Sequence, residues 1–140
     1  MNGRNRAAWV IFGVFAALIA VGVVSRSRES GDELIPWRSN LADARAEAQW
    51  GDKPVLLYFT ADWCGPCQTM RRTTWANADV EQALQAFIPV KIDVDAQPAV
   101  ASQYGVRSIP TYAVLNGDGQ PIRSATGAIA PADFLNWLGD

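Results

Sequence analysis

No histidine occurs anywhere in this 140-residue chain, and only two cysteines do. The first consequence concerns metals. Zinc is held by four ligands, usually cysteine or histidine, so a zinc site here would need carboxylates or a second subunit. With both cysteines at one locus the chain is also no disulfide-stapled mini-protein, and its core has to come from aliphatic and aromatic side chains. A basic patch of the kind that holds nucleic acid is missing too. The net charge of −2 conceals an asymmetry: Arg4, Arg6, Arg26 and Arg28 stand without any acid over residues 1–28, and all fourteen acids follow from Glu29 onward. Internal repeats are absent, and nothing calls for a cofactor. The length leaves room for one modest domain and an extra segment.

What the chain does have is Trp63-Cys64-Gly65-Pro66-Cys67. The apolar run Val55–Phe59 before it reads as a buried strand, and Gln68–Thr74 after it has helical character. A strand that hands a C-x-x-C to a helix N-terminus sets the first sulfur at the positive end of the helix dipole. Unpaired backbone N–H groups there favour thiolate over thiol. The second sulfur lies one turn in, close enough to form a small disulfide ring. A purely structural disulfide normally joins distant segments, because its stabilisation grows with the loop it closes, and this ring would contribute little. An activated nucleophile with a resolving partner one turn away suits thiol–disulfide exchange.

The N-terminus carries a second signal. Ala7 to Val24 holds no charged or strongly polar residue and is bounded by arginines on both sides. That meets the lower range for a membrane-spanning helix. A cleaved signal peptide is the alternative, with Ala20-Val21-Gly22 as a small-residue site, but its apolar region is normally only about 7–15 residues. No cysteine follows the run, which excludes a lipoprotein signal. The expected organisation is a tail over residues 1–6, an anchor over 7–24, a linker over 25–35 and a globular domain over 36–140.

Within the domain, Leu41–Trp50 suits an amphipathic helix with Ser39 or Asn40 as N-cap. Asn77 caps a second helical segment through Phe87, and Ile88–Val94 reads as a strand. Pro98–Tyr104 suits a short helix with Gly105 as its C-cap. Thr111–Leu115 and Pro121–Thr126 form a hairpin across Asn116-Gly117-Asp118-Gly119. Pro131 begins a last helix, Ala132–Leu138. Periodicity alone yields α/β.

Thr60-Ala61-Asp62-Trp63-Cys64-Gly65-Pro66-Cys67, Val90–Asp95, Tyr104-Gly105-Val106, Ser108-Ile109-Pro110-Thr111 and Asn116–Gly119 follow one another as in the thioredoxin family. From about Pro36 to Asp140 the chain resembles that family. Within it, the likeness is to membrane-associated thioredoxin-like proteins and the C-terminal domain of the transmembrane thiol–disulfide interchange protein. The resemblance implies a thioredoxin-like three-layer α/β sandwich with a mixed central sheet, here preceded by one transmembrane helix. It implies Cys64 as nucleophile at an exposed helix start and Cys67 as a buried resolving thiol. It further implies a cis bond at Ile109-Pro110, with Trp63 and Gly127 beside the substrate groove. Gly65-Pro66 resembles reducing members more than oxidising ones, which often carry histidine there.

Two departures stand out. Many family members have a buried aspartate six residues before the first cysteine, where this chain has Tyr58. Soluble members usually carry a kinking proline at what is here Arg72. The resulting expectation is a single-pass protein of the cell membrane, with its N-terminus in the cytoplasm and its domain in the periplasm or outside. It would reduce protein disulfides, with disulfide-containing or thiol proteins as partners and an upstream electron donor. The rival expectation is a non-catalytic binding or assembly module on the same fold.

Overall fold

The computed structural model describes residues 33–139. The apolar run Ala7–Val24 lies outside the described residues, among which no helix is long and apolar enough to cross a membrane. The elements run α1 (Leu41–Trp50), β1 (Val55–Thr60), α2 (Gly65–Arg72), α3 (Ala78–Leu84), β2 (Ile88–Asp93), α4 (Pro98–Gln103), β3 (Thr111–Leu115), β4 (Pro121–Thr126) and α5 (Pro131–Gly139).

The sheet has the order β2-β1-β3-β4 and is mixed. β1 pairs parallel with β2, Leu57 opposite Val90, and antiparallel with β3, Leu57 opposite Ala113. β4 returns antiparallel along β3, with an irregularity at Val114/Leu115. Because successive strand side chains point to opposite faces, the unbroken apolar run of β1 serves two cores at once. Val55, Leu57 and Phe59 pack with α1 and α4 through Leu41, Ala44, Ala48 and Ala101. Leu56 and Tyr58 face the other way, onto Met70 of α2, Val80 and Leu84 of α3, and Phe134 of α5. Helices thus cover both faces of a central strand, the arrangement in which continuous hydrophobic strands occur.

Local chemistry sets most element ends. Asn40 caps α1 by accepting the Asp43 N–H at 3.2 Å, and Asn77 caps α3 by accepting those of Asp79 and Val80. α2 begins at Gly65, which puts the C-x-x-C at the helix N-terminus as expected: Cys64 itself acts as the N-cap and Pro66 fits the first turn. α3 ends at Leu84 and does not run on to Phe87. Gln85, Ala86 and Phe87 donate their N–H groups three residues back, the tight turn that often finishes a helix.

Residues 33–35, expected to belong to a polar linker, are packed against the domain. The Leu34 N–H donates to the Trp75 carbonyl at 2.8 Å, and Ile35 is only 5% exposed. Arg38 then bridges to the free edge of β2, donating to Pro89 and accepting from Lys91. The segment covers a strand edge that would otherwise be open to unwanted pairing.

Candidate active site

β1 ends at Thr60, and a turn closed by the Cys64 N–H on the Ala61 carbonyl (3.2 Å) leads straight into α2. Cys64 and Cys67 form a disulfide, with Cα atoms 5.2 Å apart. The Cys64 Sγ accepts the Cys67 N–H at 3.3 Å, so a first-turn donor of the helix already points at this sulfur. No acidic residue stands in the first turn of α2, while Arg71 and Arg72 stand in its last. The dipole therefore acts on the sulfur with no opposing carboxylate in the first turn of the helix itself. In this disulfide form both cysteines are 3% exposed, which corrects the expectation of an exposed Cys64. Ala61, Val94 and Ile109 pack over the sulfurs.

The other expected residues gather around the pair. The Ile109-Pro110 peptide bond is cis. Neither the N–H nor the C=O of Ile109 has a hydrogen-bond partner among the described residues. Pro110 is buried, and its carbonyl accepts the Gly127 N–H at 2.8 Å. Gly127 has φ of +104°, a conformation that a residue with a Cβ rarely adopts. Gly65 and Pro66 are exposed at the helix start. Trp63 is 68% exposed, and its indole N–H donates to the Asp95 carboxylate at 2.7 Å. A groove of about 350 Å³ lies beside the disulfide, lined by Trp63, Val94, Val106, Arg107 and Ile109. Asp95 closes the Val90–Asp95 motif in the sequence with no partner indicated there; only the folded chain brings it to Trp63.

Tyr58 lies behind the cysteines. It is 2% exposed and packs between Trp37 and Trp75, at centroid distances of 5.4 and 4.9 Å. Its Oη and the Trp75 Nε1 have no protein partner, yet both residues line a cavity of about 110 Å³ that Cys67 also lines. Burial pushes the Tyr58 phenol above its ordinary value, so it is no base at neutral pH. A folded-state pKa above the unfolded one gives stability that is complete below the unfolded value, about 10, and lost as pH rises toward the folded value. Tyr112, raised by burial in the same direction, adds to this loss. Tyr58→Phe is therefore expected to lose less stability than the wild type between about pH 8 and pH 11 in urea melts. An equal alkaline loss in both proteins would contradict that account of Tyr58.

Comparison with known proteins agrees with this geometry. The thioredoxin-like family model matches residues 36–117. Thioredoxin 1 of Synechococcus elongatus is 39% identical over 85 residues, covering 61% of this chain and 77% of the relative. The thioredoxin of Streptomyces clavuligerus is 40% identical over 98 residues, covering 69% and 88%. Among solved structures, the oxidised C-terminal domain of DsbD from Neisseria meningitidis matches with a TM-score of 0.61 at 28% identity, over 74% of this chain and 97% of that one.

Proposed function

Since this chain belongs to the thioredoxin-like family and is a thiol–disulfide oxidoreductase, we propose that it is a membrane-anchored reductant of protein disulfides outside the cytoplasm. The observation that carries the reading is the Cys64–Cys67 pair at the α2 N-terminus beside the unpaired backbone of Ile109. An extended substrate chain pairs with Ile109 and lies across the groove flanked by Trp63. In the dithiol form, the Cys64 thiolate attacks one sulfur of the substrate disulfide. That S–S bond breaks, and a mixed disulfide forms on Cys64. Cys67 then attacks the Cys64 sulfur, releasing the second substrate thiolate and closing the Cys64–Cys67 disulfide. The substrate gains two electrons, the dithiol loses two, and an upstream electron donor must restore it.

Three features support the finer parts of the proposal. Gly65-Pro66 and the lack of histidine favour the reducing direction, because no imidazolium is present to stabilise the thiolate further. The arginine-bounded run Ala7–Val24 supports the anchor. An exported position suits a disulfide reductant, since disulfides persist outside the cytoplasm. Acid-quenching cells, separating membranes and gel-shifting the free thiols tests anchor and direction together. The full chain is expected in the membrane fraction with Cys64 and Cys67 mainly as dithiol. A soluble, shortened chain would replace the anchor with a cleaved signal, and a pair held as disulfide would reverse the direction. Alkaline phosphatase fused after Asp140 is expected to be active, and an inactive fusion would put the domain in the cytoplasm.

A further inference from the structure

The exchange sequence needs a group that the cysteine motif does not contain. Cys67 must lose its proton before it attacks, and at 3% exposure it cannot easily give it to bulk solvent. The cavity that Cys67 lines holds the candidate acceptors. Several polar or charged groups line it: Tyr58 and Lys91 from the strands, Gln68 and Arg71 from α2, Asp62 from the turn between β1 and α2, and Glu33 from the segment before α1. Arg71 and Lys91 are cationic and Gln68 is neutral. Tyr58 is held neutral by burial. That leaves two carboxylates. Asp62 is exposed, and only its backbone carbonyl is engaged, by the Gln68 Nε2 at 2.6 Å.

Glu33 is placed quite differently. Its side chain is 17% exposed, and one carboxylate oxygen accepts from the Lys91 Nζ at 2.6 Å. The other oxygen accepts from the Trp37 indole N–H. The Lys91 ammonium also lies 5.6 Å from the centre of the Trp37 ring. The backbone next to Glu33 is tied down by the Leu34 N–H on Trp75. A carboxylate so held keeps lone pairs free for a further donor. The cavity between it and Cys67, about 110 Å³, has room for water, and the unpartnered Tyr58 Oη and Trp75 Nε1 can hydrogen-bond such water.

We propose that Glu33 receives the proton of the Cys67 thiol through water in this cavity, so that a residue from the segment leading into the domain completes the exchange machinery. In the balanced step, the Cys67 S–H proton passes to water and the Glu33 carboxylate takes one from that water. The Cys67 thiolate forms its bond to the Cys64 Sγ, and the bond from Cys64 to the substrate sulfur breaks. The departing substrate thiolate takes its proton from solvent. Lys91 has a positioning role: it holds Glu33 at the cavity and shares its charge. The inference rests on the exchange chemistry and is independent of the direction of electron flow and of the anchor.

The test follows the two successive releases of thionitrobenzoate when the reduced full chain meets 5,5′-dithiobis(2-nitrobenzoate). The first release reports attack by Cys64, and the second reports resolution by Cys67. Glu33→Gln is expected to leave the first release unchanged and to slow the second by about 100-fold at neutral pH. The second should recover as pH rises and hydroxide replaces the carboxylate, and Glu33→Asp should restore part of the rate. A second release with the wild-type rate and pH profile overturns the proposal, as does equal slowing of both releases. A wild-type chain with no first release from Cys64 would instead remove the exchange reading itself. Should the variants fail to fold, the Glu33 carboxyl-carbon resonance of the intact chain decides. It is expected to move as Cys67 deprotonates in the reduced form, with no such movement in the disulfide form. Identical behaviour in both forms overturns the proposal.

Discussion

Cys64→Ser is expected to reduce insulin disulfides with dithiothreitol no faster than dithiothreitol alone. Serine keeps the shape of the side chain but replaces a thiolate with a hydroxyl that stays protonated at neutral pH, and only the ionised sulfur is the nucleophile. The loss should be one of chemistry and not of folding. The disulfide closes a ring across a separation of only three residues, too small to restrict the unfolded chain much. The two cores on either face of β1 consist of aliphatic and aromatic side chains apart from the cysteines. Circular dichroism and thermal melting should therefore resemble those of the reduced wild type. A folded Cys64→Ser protein with wild-type turnover would remove the redox reading. Full complementation of a deletion strain by a Cys64→Ser, Cys67→Ser chain would favour a binding or assembly module.

Cys67→Ala should have the opposite signature, retention of the first step with loss of the second. Cys64 still attacks, but nothing displaces the substrate from it, so mixed disulfides accumulate. Non-reducing gels of trapped cells should show bands above the free chain that collapse on adding dithiothreitol and are missing when Cys64 is also replaced. Their identities give the physiological substrates and the upstream donor. If Cys67→Ala turned over at the wild-type rate, resolution would not require Cys67, and the role of Glu33 would fall with it.

The parts of this fold legible in the sequence are those set by short-range chemistry. The run Val55–Phe59 is apolar at every position because β1 is covered on both faces, and that pattern is visible without any partner strand. Asn40 and Asn77 are caps whose side chains reach N–H groups only two or three residues away. Pro131 stands at the first residue of α5 for an equally local reason. The groove residues were legible only through the family resemblance, since Ile109 and Cys64 meet by tertiary packing.

What escaped sequence reasoning depends on long-range contacts. Glu33 stands in a polar stretch whose composition resembles a tether. Nothing near it in sequence announces a lysine 58 residues later or the Trp75 carbonyl that receives the next N–H. The burial of Cys64 likewise depends on Val94 and Ile109, both distant in sequence. Tryptophans divide in the same way. Trp75 is fully buried among Tyr58, Trp37 and Phe134, whereas Trp63 and Trp50 are exposed at 68% and 91%. Residue type alone does not separate these cases.

The N-terminus of α2 makes Cys64 the attacking sulfur and Cys67 its resolving partner. Alkylation of the reduced full chain with iodoacetamide across a pH series, with each cysteine followed by peptide mass, tests this most directly. Cys64 should react much faster than Cys67 and show an apparent pKa below the ordinary cysteine value of about 8.5. Equal rates at the two cysteines, or a Cys64 pKa at or above that value, would contradict the account.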